Sequence, residues 1–457
     1  MRAMLRILLL AVLYAALHTA PARAVAIEFW TTEMAPERQA VIRYLAQAFM
    51  AQNPDIQVNI TGVEENTIQF LGSALDEGVG PDIVSARSDI VVAIAEQGRV
   101  AKKCTGEMIR AIGEKRFFTG ALATMRNKDG TYNGIPFSGW VQGIWYRADW
   151  FKEAGLDPPD TPERILKAAQ TLCDSDKGRF GILVGTREDA YAEQVFTHLA
   201  LAMGVREFDP DGKVVFAGKN AVRALTLYKE LARYSPPGQQ YWRARDYYMQ
   251  GRLAMMFYST FIMDDLALPT AAADSLTGNN FPDLDGAPFD PHLLRNTGMV
   301  SVITGTRPAS YGVIHALGIP VCDDPERKRA IMRFISFLFR TDAYITWLHM
   351  APGGMLPVLR DIAGADDFYR DAQGVFKRYT RTKIENIISG LGNIESFSFE
   401  EGRLIPKAAQ ASAEAIIPEM ILRTLREGIP PRSPCNGLRE GCANCSEITA
   451  PGQGFRP

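Results

Sequence analysis

Aromatic and polar side chains collect at the ends of the predicted strands. They are Trp30, Thr31, Glu33, Asp89, Tyr258 and Phe261. In α/β sheets, small molecules bind beyond the carboxyl ends of the strands, so these positions are candidate contacts. A ring face can cover the apolar face of a sugar, while carboxylates accept hydrogen bonds from its hydroxyls. The pattern indicates a site for a polyhydroxylated small molecule.

Each of these residues also has a purely structural interpretation. Asp89 could only cap the helix that begins near it. Phe261 could belong to the core, and Trp242 could simply cover the loop before it. The residues alone leave both interpretations open.

The motifs of common enzyme classes are missing from the sequence. There is no Gly-x4-Gly-Lys-Ser/Thr phosphate loop, no His-Glu-x-x-His and no Gly-x-Ser-x-Gly. His198, His292, His315 and His349 lack metal-ligand spacing. We therefore expect no catalytic residue, metal ion or cofactor. A glycosidase needs only two well-placed carboxylates, however, so missing motifs do not exclude an enzyme.

The composition is that of a globular protein. Apolar residues make up 47% of the 457 residues and charged residues 22%, and the net charge is −2. This length is enough for two or three domains. No long basic run is present, so we expect no nucleic-acid partner.

Residues 1–24 have the pattern of a secretory signal peptide. Arg2 and Arg6 lie at the start of an apolar run over residues 7–17, and Ala22-Arg-Ala24 supplies a small-x-small cleavage site. The apolar run is too short to span a bilayer. We expect cleavage after Ala24 and a periplasmic location.

The cysteines divide between the body of the chain and its tail. Of the six, Cys435, Cys442 and Cys445 fall in residues 429–457. A zinc site there would need a fourth ligand, and no histidine lies nearby. We expect a local disulfide in the tail.

The first 100 residues predict alternating strands and helices. Residues 26–30 and 56–60 read as strands, and a helix begins at Pro36 between them. This is a β-α-β unit, which predicts a parallel sheet with right-handed crossovers. A second helix is expected over residues 67–77 and a third strand over 83–86, after which Asp89 is predicted to cap another helix.

Residues 134–160 predict a crossing between two lobes. Pro136 excludes a helix interior, and residues 141–146 alternate as in a strand. A short helix over 148–154 ends at Gly155 and a Pro-Pro pair. Trp140 would then lie on the floor of a cleft, although a buried strand with a core tryptophan fits equally well. Residues 350–358, which include Gly353, are a second crossing candidate.

Several short motifs occur in an order that resembles a known family. They are Phe29-Trp30, Gly80-Pro-Asp-Ile83, Tyr132-Asn-Gly-Ile-Pro136, Asp149-Trp-Phe-Lys-Glu-Ala-Gly-Leu-Asp157, Gln250-Gly-Arg-Leu-Ala-Met255 and Gly353-Gly-Met-Leu-Pro-Val358. Together they resemble the extracellular solute-binding proteins of ABC importers, in particular the sugar-binding group typified by maltose-binding protein. The resemblance covers residues 27–428.

This resemblance implies an α/β fold of two lobes that close on a central ligand cleft by a hinge motion. One lobe would comprise residues 25–136 and 310–352, and the other residues 141–304 and 356–428. The implied function is not enzymatic. A monomer would capture a small-molecule sugar, a di- or oligosaccharide, and deliver it to a membrane permease.

The resemblance also implies ligand contacts. Asp89 matches a sugar-binding aspartate of the family, and Phe261 falls near a stacking tryptophan. We also expect Asn66, Trp242 and Gly353 to line the cleft. Trp140 stands where the family has a glutamate. Because of this departure, the resemblance does not identify which sugar is bound.

Two alternatives remain at this level. A periplasmic carbohydrate-active enzyme would need a paired acid and base in the cleft. A two-lobe receptor for a polyamine or a metal chelate would need an excess of carboxylates or clustered tyrosines.

Overall fold

The computed structural model describes residues 24–64, 71–209, 211–279, 281, 284–400 and 403–426. Its strands are β1 (Val25–Thr31), β2 (Ile56–Gly62), β3 (Ile83–Arg87), β4 (Ile135–Arg147), β5 (Phe180–Leu183), β6 (Leu253–Ser259), β7 (Thr297–Val300), β8 (Val302–Thr304), β9 (Pro308–Gly318), β10 (Leu356–Pro357), β11 (Ile394–Glu395), β12 (Phe399–Glu400) and β13 (Arg403–Leu404).

The α-helices alternate with these strands for most of the chain. They are α1 (Pro36–Gln52), α2 (Leu71–Asp76), α3 (Ser88–Glu96), α4 (Lys102–Ile112), α5 (Thr119–Ala123), α6 (Ala148–Glu153), α7 (Pro162–Leu172), α8 (Ala190–Ala202), α9 (Lys219–Ala232), α10 (Ala244–Met249), α11 (Ile262–Ala267), α12 (Ala273–Leu276), α13 (Leu293–Asn296), α14 (Pro325–Leu338), α15 (Thr341–Leu348), α16 (Arg360–Gly364), α17 (Arg381–Ser389), α18 (Pro406–Ala413) and α19 (Ile416–Arg426). Within the described part of the chain, no helix is long and apolar enough to cross a membrane.

The predicted β-α-β unit is confirmed. β1 pairs in parallel with β2 on one side and with β3 on the other. The helix between β1 and β2 begins at Pro36, whose missing N–H has no partner to lose in a first turn. Ile42, Leu45 and Phe49 recur at helical spacing and are buried against the sheet.

The predicted second helix falls partly outside the described residues. The structure describes α2 over its second half, and residues 65–70 lie outside the description. The predicted third strand is confirmed as β3, with four buried residues followed by Arg87.

One mixed sheet runs through the molecule in the order β2-β1-β3-β9-β4-β6-β5. β9 is antiparallel to both β3 and β4, and β4 is antiparallel to β6. β5 and β6 are parallel to each other. Each end of the sheet therefore has its own group of parallel strands, joined through two long central strands.

β4 carries the chain from one group of strands to the other. Its first half, up to Val141, pairs with β9, whereas Gln142 to Tyr146 pair with β6. The register shifts between Pro136 and Ser138, as expected where proline interrupts the hydrogen-bond ladder. The predicted strand across residues 141–146 is confirmed.

The second predicted crossing is also extended where it meets β4. Leu356 and Pro357 form β10, which pairs antiparallel with Gly139 and Ser138. Just before it in the chain, α14 and α15 pack against the β1 side of the sheet. There the ring centroids of Phe29 and Phe334 lie 5.8 Å apart. β9 and β10, which are distant from β4 in sequence, therefore both pair with it at Ser138 and Gly139.

Candidate functional site

Two predicted site segments lie at one edge of the sheet. β1 and β3 are parallel neighbours, so the residues after each strand meet at the same edge. The backbone N–H of Thr32 donates to the carbonyl oxygen of Ser85 at 3.2 Å and ties the two ends together. Glu33 and Asp89 therefore project from the same edge.

Thr31 and Trp30 support this edge from within. Thr31 is fully buried, and its hydroxyl oxygen accepts the backbone N–H of Glu33 at 3.2 Å. Trp30 is partly buried and packs against the core. Thr31 therefore shapes the loop that holds Glu33, and ligand contact by either residue stays a prediction.

Asp89 does not cap its helix, so the predicted cap is wrong. Arg87 occupies the cap position without a side-chain cap, and Asp89 lies in the first turn of α3. The Asp89 carboxylate instead accepts two bonds from the Arg87 guanidinium, at 3.2 and 2.7 Å. A charge-assisted pair two residues apart outcompetes the weaker bond to the helix amides. Asp89 is thereby fixed in one orientation at the strand edge.

A second edge, formed by β5 and β6, carries an aromatic cluster. The Tyr191 hydroxyl lies within hydrogen-bond distance of two carbonyl oxygens, those of Leu183 and Phe257, at 3.0 and 3.1 Å. Trp242 packs on Tyr191 with ring centroids 5.1 Å apart and meets Tyr258 edge-on at 5.9 Å. Burial raises the pKa of Tyr258, so its hydroxyl stays protonated.

Trp242 keeps much of its ring open. It is 39% exposed, although the rings beneath it are buried or half-buried. An exposed indole on a rigid aromatic base offers a flat apolar surface. Trp242 does cover its loop, and it also presents a face that could stack on a ligand.

Phe261 joins the two edges. It lies at the start of α11, and the guanidinium carbon of Arg38 lies 5.5 Å from the centre of its ring. Arg38 belongs to α1 at the first edge and donates to the Glu33 carboxylate at 2.7 Å. Phe261 is therefore half-buried, with a cation from the opposite edge next to it.

Gly353 and Gly354 are needed for this packing. Gly353 has a φ of +91°, and a Cβ on it would lie 2.6 Å from the carbonyl oxygen of Thr260. A Cβ on Gly354 would lie 2.2 Å from two carbons of the Phe261 ring. Gly353 thus allows close backbone approach beside Phe261, and its predicted ligand contact stays a prediction.

Sequence reasoning missed Glu193, which lies in the first turn of α8. Burial raises the pKa of Glu193, opposed by a hydrogen bond to Ser412 and by the Arg87 charge, while the Asp89 carboxylate raises it further. Its sequence signal is slight, since an acid in the first turn of a helix is common.

Asp89 and Glu193 line one cavity. The space that water-sized molecules can occupy is about 60 Å³ and partly open to solvent, and Tyr311 and Ser412 also border it. This volume is well below the roughly 300–1,000 Å³ of typical small-molecule sites. The cavity brings a predicted residue from one edge together with a missed residue from the other.

Trp140 lies behind this cavity. It is 8% exposed and meets Tyr311 edge-on, with ring centroids 6.0 Å apart. Tyr311 borders the cavity, and Trp140 is absent from its lining. These contacts fit the interpretation of Trp140 as a core residue of a buried strand. A ligand contact by Trp140 stays a prediction. Asn66 lies outside the described residues.

A buried ion pair supports the second edge. Arg245 pairs with Asp265, just after Phe261. Burial raises the pKa of Asp265 to about 7, and the guanidinium opposes that shift. Among the described residues, no group of three histidine, cysteine or acidic side chains could hold a metal ion. The described cysteines Cys104, Cys173 and Cys322 are free, and the predicted tail disulfide lies outside the described residues.

These features define a class of protein: two groups of parallel strands, linked by crossing strands, with aromatic and acidic side chains at facing edges. Comparison with known proteins agrees. A family model described as "Bacterial extracellular solute-binding protein" matches residues 35–283. Protein YcjN of Escherichia coli K12, assigned by its name to the ABC transporter periplasmic-binding proteins, is 31% identical over 337 residues, 73% of each chain.

Solved structures show the same fold. A solute-binding protein from Agrobacterium radiobacter K84 in complex with ribitol has a TM-score of 0.66 at 19% identity, covering 94% of this chain and 100% of its own. The maltose-bound MalE3 of T. maritima has a TM-score of 0.67 at 17% identity, covering 92% and 100%. The chain belongs to the bacterial extracellular solute-binding protein family and has its two-lobe fold. Membership of an extracellular family implies export; residues 1–23, with most of the predicted signal peptide, lie outside the described residues.

Proposed function

We propose that this protein is the solute-binding component of an ABC import system and captures a sugar or polyol between its lobes. One observation carries the proposal: Asp89 and Glu193, from facing strand edges, border a single cavity. The exposed ring of Trp242 adds an apolar surface at the second edge. Carboxylates and an aromatic face are the groups that recognise hydroxyls and sugar C–H faces.

The lobes are proposed to be residues 25–136 with 310–352, and 141–304 with 356–428. The change of β4 partners after Val141 supports this division. A ligand that touches both lobes stabilises the closed form by its differential affinity for that form. The closed form would then deliver the ligand to a membrane permease.

The size of the ligand is a separate question. The sequence predicts a di- or oligosaccharide, and this stays a prediction. The related structures contain ribitol in one case and maltose in another. A ligand panel should therefore run from pentitols to trisaccharides and include polyamines and metal chelates.

A thermal-shift screen of the mature protein tests the proposal. A ligand that binds only the folded state stabilises it by about 2.7 kcal/mol at a hundred times its Kd. We expect a rise in Tm with at least one sugar or polyol. A response confined to polyamines or metal chelates would refute the carbohydrate class and leave the fold intact.

The same samples separate a receptor from an enzyme. Asp89 and Glu193 border one cavity, and a paired acid and base is what glycoside hydrolysis requires. Chromatography of the ligand after incubation should recover it unchanged. Cleaved ligand would replace the receptor proposal by a carbohydrate-active enzyme.

We also propose that the protein acts as a monomer in the periplasm. The cavity that carries the proposal is lined by residues of one chain, which supports capture by a single copy. Light scattering of the purified protein should give a mass near that of one chain. A stable dimer would contradict this part of the proposal.

A further inference from the structure

Two fixed side chains from opposite lobes meet beside the cleft. Arg38 lies on α1, and Phe261 lies at the start of α11 after β6. The Arg38 guanidinium carbon is 5.5 Å from the centre of the Phe261 ring. This distance is within the range of a cation–π interaction.

The Arg38 side chain is held by its own lobe. It donates to the Glu33 carboxylate, which is 12% exposed, at 2.7 Å. The backbone of Glu33 is fixed in turn, because its N–H donates to the buried Thr31 hydroxyl and its carbonyl accepts from Gln39. Arg38 therefore cannot follow Phe261 without breaking contacts within its lobe.

The Phe261 ring is held by the other lobe. The backbone at Gly354 leaves no space for a side chain beside the ring. The N–H of Met263 donates to the carbonyl of Thr260, and the Tyr379 hydroxyl donates to the carbonyl of Met263 at 2.8 Å. The segment that carries Phe261 is thus fixed on both sides.

Asp264 adds an electrostatic attraction across the same gap. Asp264 lies three residues after Phe261 in the sequence. Burial raises the pKa of its carboxyl group, and the positive charges of Arg245 and Arg38 oppose that rise. Arg38 therefore attracts both a ring and a carboxyl group of the other lobe. Opening the cleft must separate these groups.

We infer that Arg38 is a positioning residue that latches the two lobes together in the empty protein by its contact with Phe261. The latch biases the empty protein towards the closed form that ligand also favours. A ligand then binds a population that is already partly closed, and its apparent affinity rises in proportion to that fraction. The inference rests on the two-lobe fold and requires no particular ligand.

The test measures lobe separation without any ligand. Dyes are attached through unnatural amino acids at positions 44 and 177, which are exposed on opposite lobes, and single-molecule energy transfer gives the closed-to-open ratio. A partly exposed cation–π contact corresponds to about a two- to fivefold change in that ratio. We expect Arg38→Gln to lower the ratio by about this factor, and Arg38→Lys to retain part of it.

A matched control lies on the same helix. Arg43 is exposed and donates within α1, to Gln39, so Arg43→Gln should leave the ratio unchanged. Phe261→Leu should lower the ratio like Arg38→Gln, and the double variant should fall no further.

Three outcomes would overturn the latch. They are an equal ratio in the Arg38 and Arg43 variants, additive effects in the double variant, and a wild-type protein that is fully open when empty. Because no ligand is present, each of these outcomes leaves the carbohydrate proposal standing. Failure of the ligand panel, in turn, leaves the latch untouched.

Discussion

Replacing Gly354 with alanine should displace the Phe261 ring. The added Cβ would lie 2.2 Å from two ring carbons and 2.7 Å from a third. Carbon atoms in contact normally lie about 3.5–4.0 Å apart, so the ring or the loop must move by roughly 1 Å. Overpacking of this kind costs about 1–3 kcal/mol of unfolding free energy.

Urea unfolding of the purified variant measures this cost. Gly364→Ala is the matched control, because position 364 is exposed and a Cβ there would meet nothing within 4 Å. The control should be neutral or stabilised by up to about 1 kcal/mol, since alanine restricts the unfolded chain. If the two variants are equally stable and a crystal structure shows an unmoved Phe261, the packing argument is wrong.

Other predictions concern buried groups and the exposed ring. Burial lowers the pKa of His198 from 6.5 to about 4, so the unfolded state binds an extra proton between these values. Stability should therefore fall by about 3 kcal/mol as the pH drops from 6.5 through 4, and His198→Gln should lose this part of the pH dependence in urea unfolding. Tyr191→Phe removes the hydroxyl that bonds two buried carbonyls and should lower the unfolding free energy by about 1–3 kcal/mol, measured in urea. Unchanged stability would refute a stabilising role for these two contacts. Trp242→Ala should weaken binding of whichever sugar the panel identifies by about two- to tenfold by calorimetry, and the lost packing on Tyr191 should lower the Tm of the empty protein modestly; unchanged affinity would remove Trp242 from the site.

The sequence was sufficient to predict the order of elements near the site. Local spacing placed Trp30 near the end of a strand and Glu33 and Phe261 beyond one, because a strand end is a short-range property. The prediction that Tyr258 follows its strand was wrong, since β6 continues to Ser259. Pro36 marked the start of a helix for a similarly local reason. The long strand β4 could also be predicted from the sequence. Its proline, its alternating side chains and the helix that follows it all lie within one continuous stretch.

Contacts between distant segments were not predictable. The contact of Arg38 with Phe261 and the shared cavity of Asp89 and Glu193 depend on how the lobes face each other. No local pattern distinguishes Arg38 from the exposed Arg43 of the same helix.

The helix cap assigned to Asp89 was wrong for a related reason. Aspartate near a helix start favours a cap by propensity, and the neighbouring Arg87 offered a stronger partner. Trp140 shows the same limit from the other direction. The strand that carries Trp140 was predictable from local spacing. Its side chain packs on Tyr311, which is far away in sequence, and no local pattern predicts that contact.

The most direct test of the account is small-angle scattering of the mature protein with and without the sugar or polyol that raises its Tm. We predict a smaller radius of gyration with ligand, as the lobes close, and full recovery of unchanged ligand afterwards. A bound ligand that leaves the radius unchanged, or is recovered as cleavage products, would contradict capture by lobe closure.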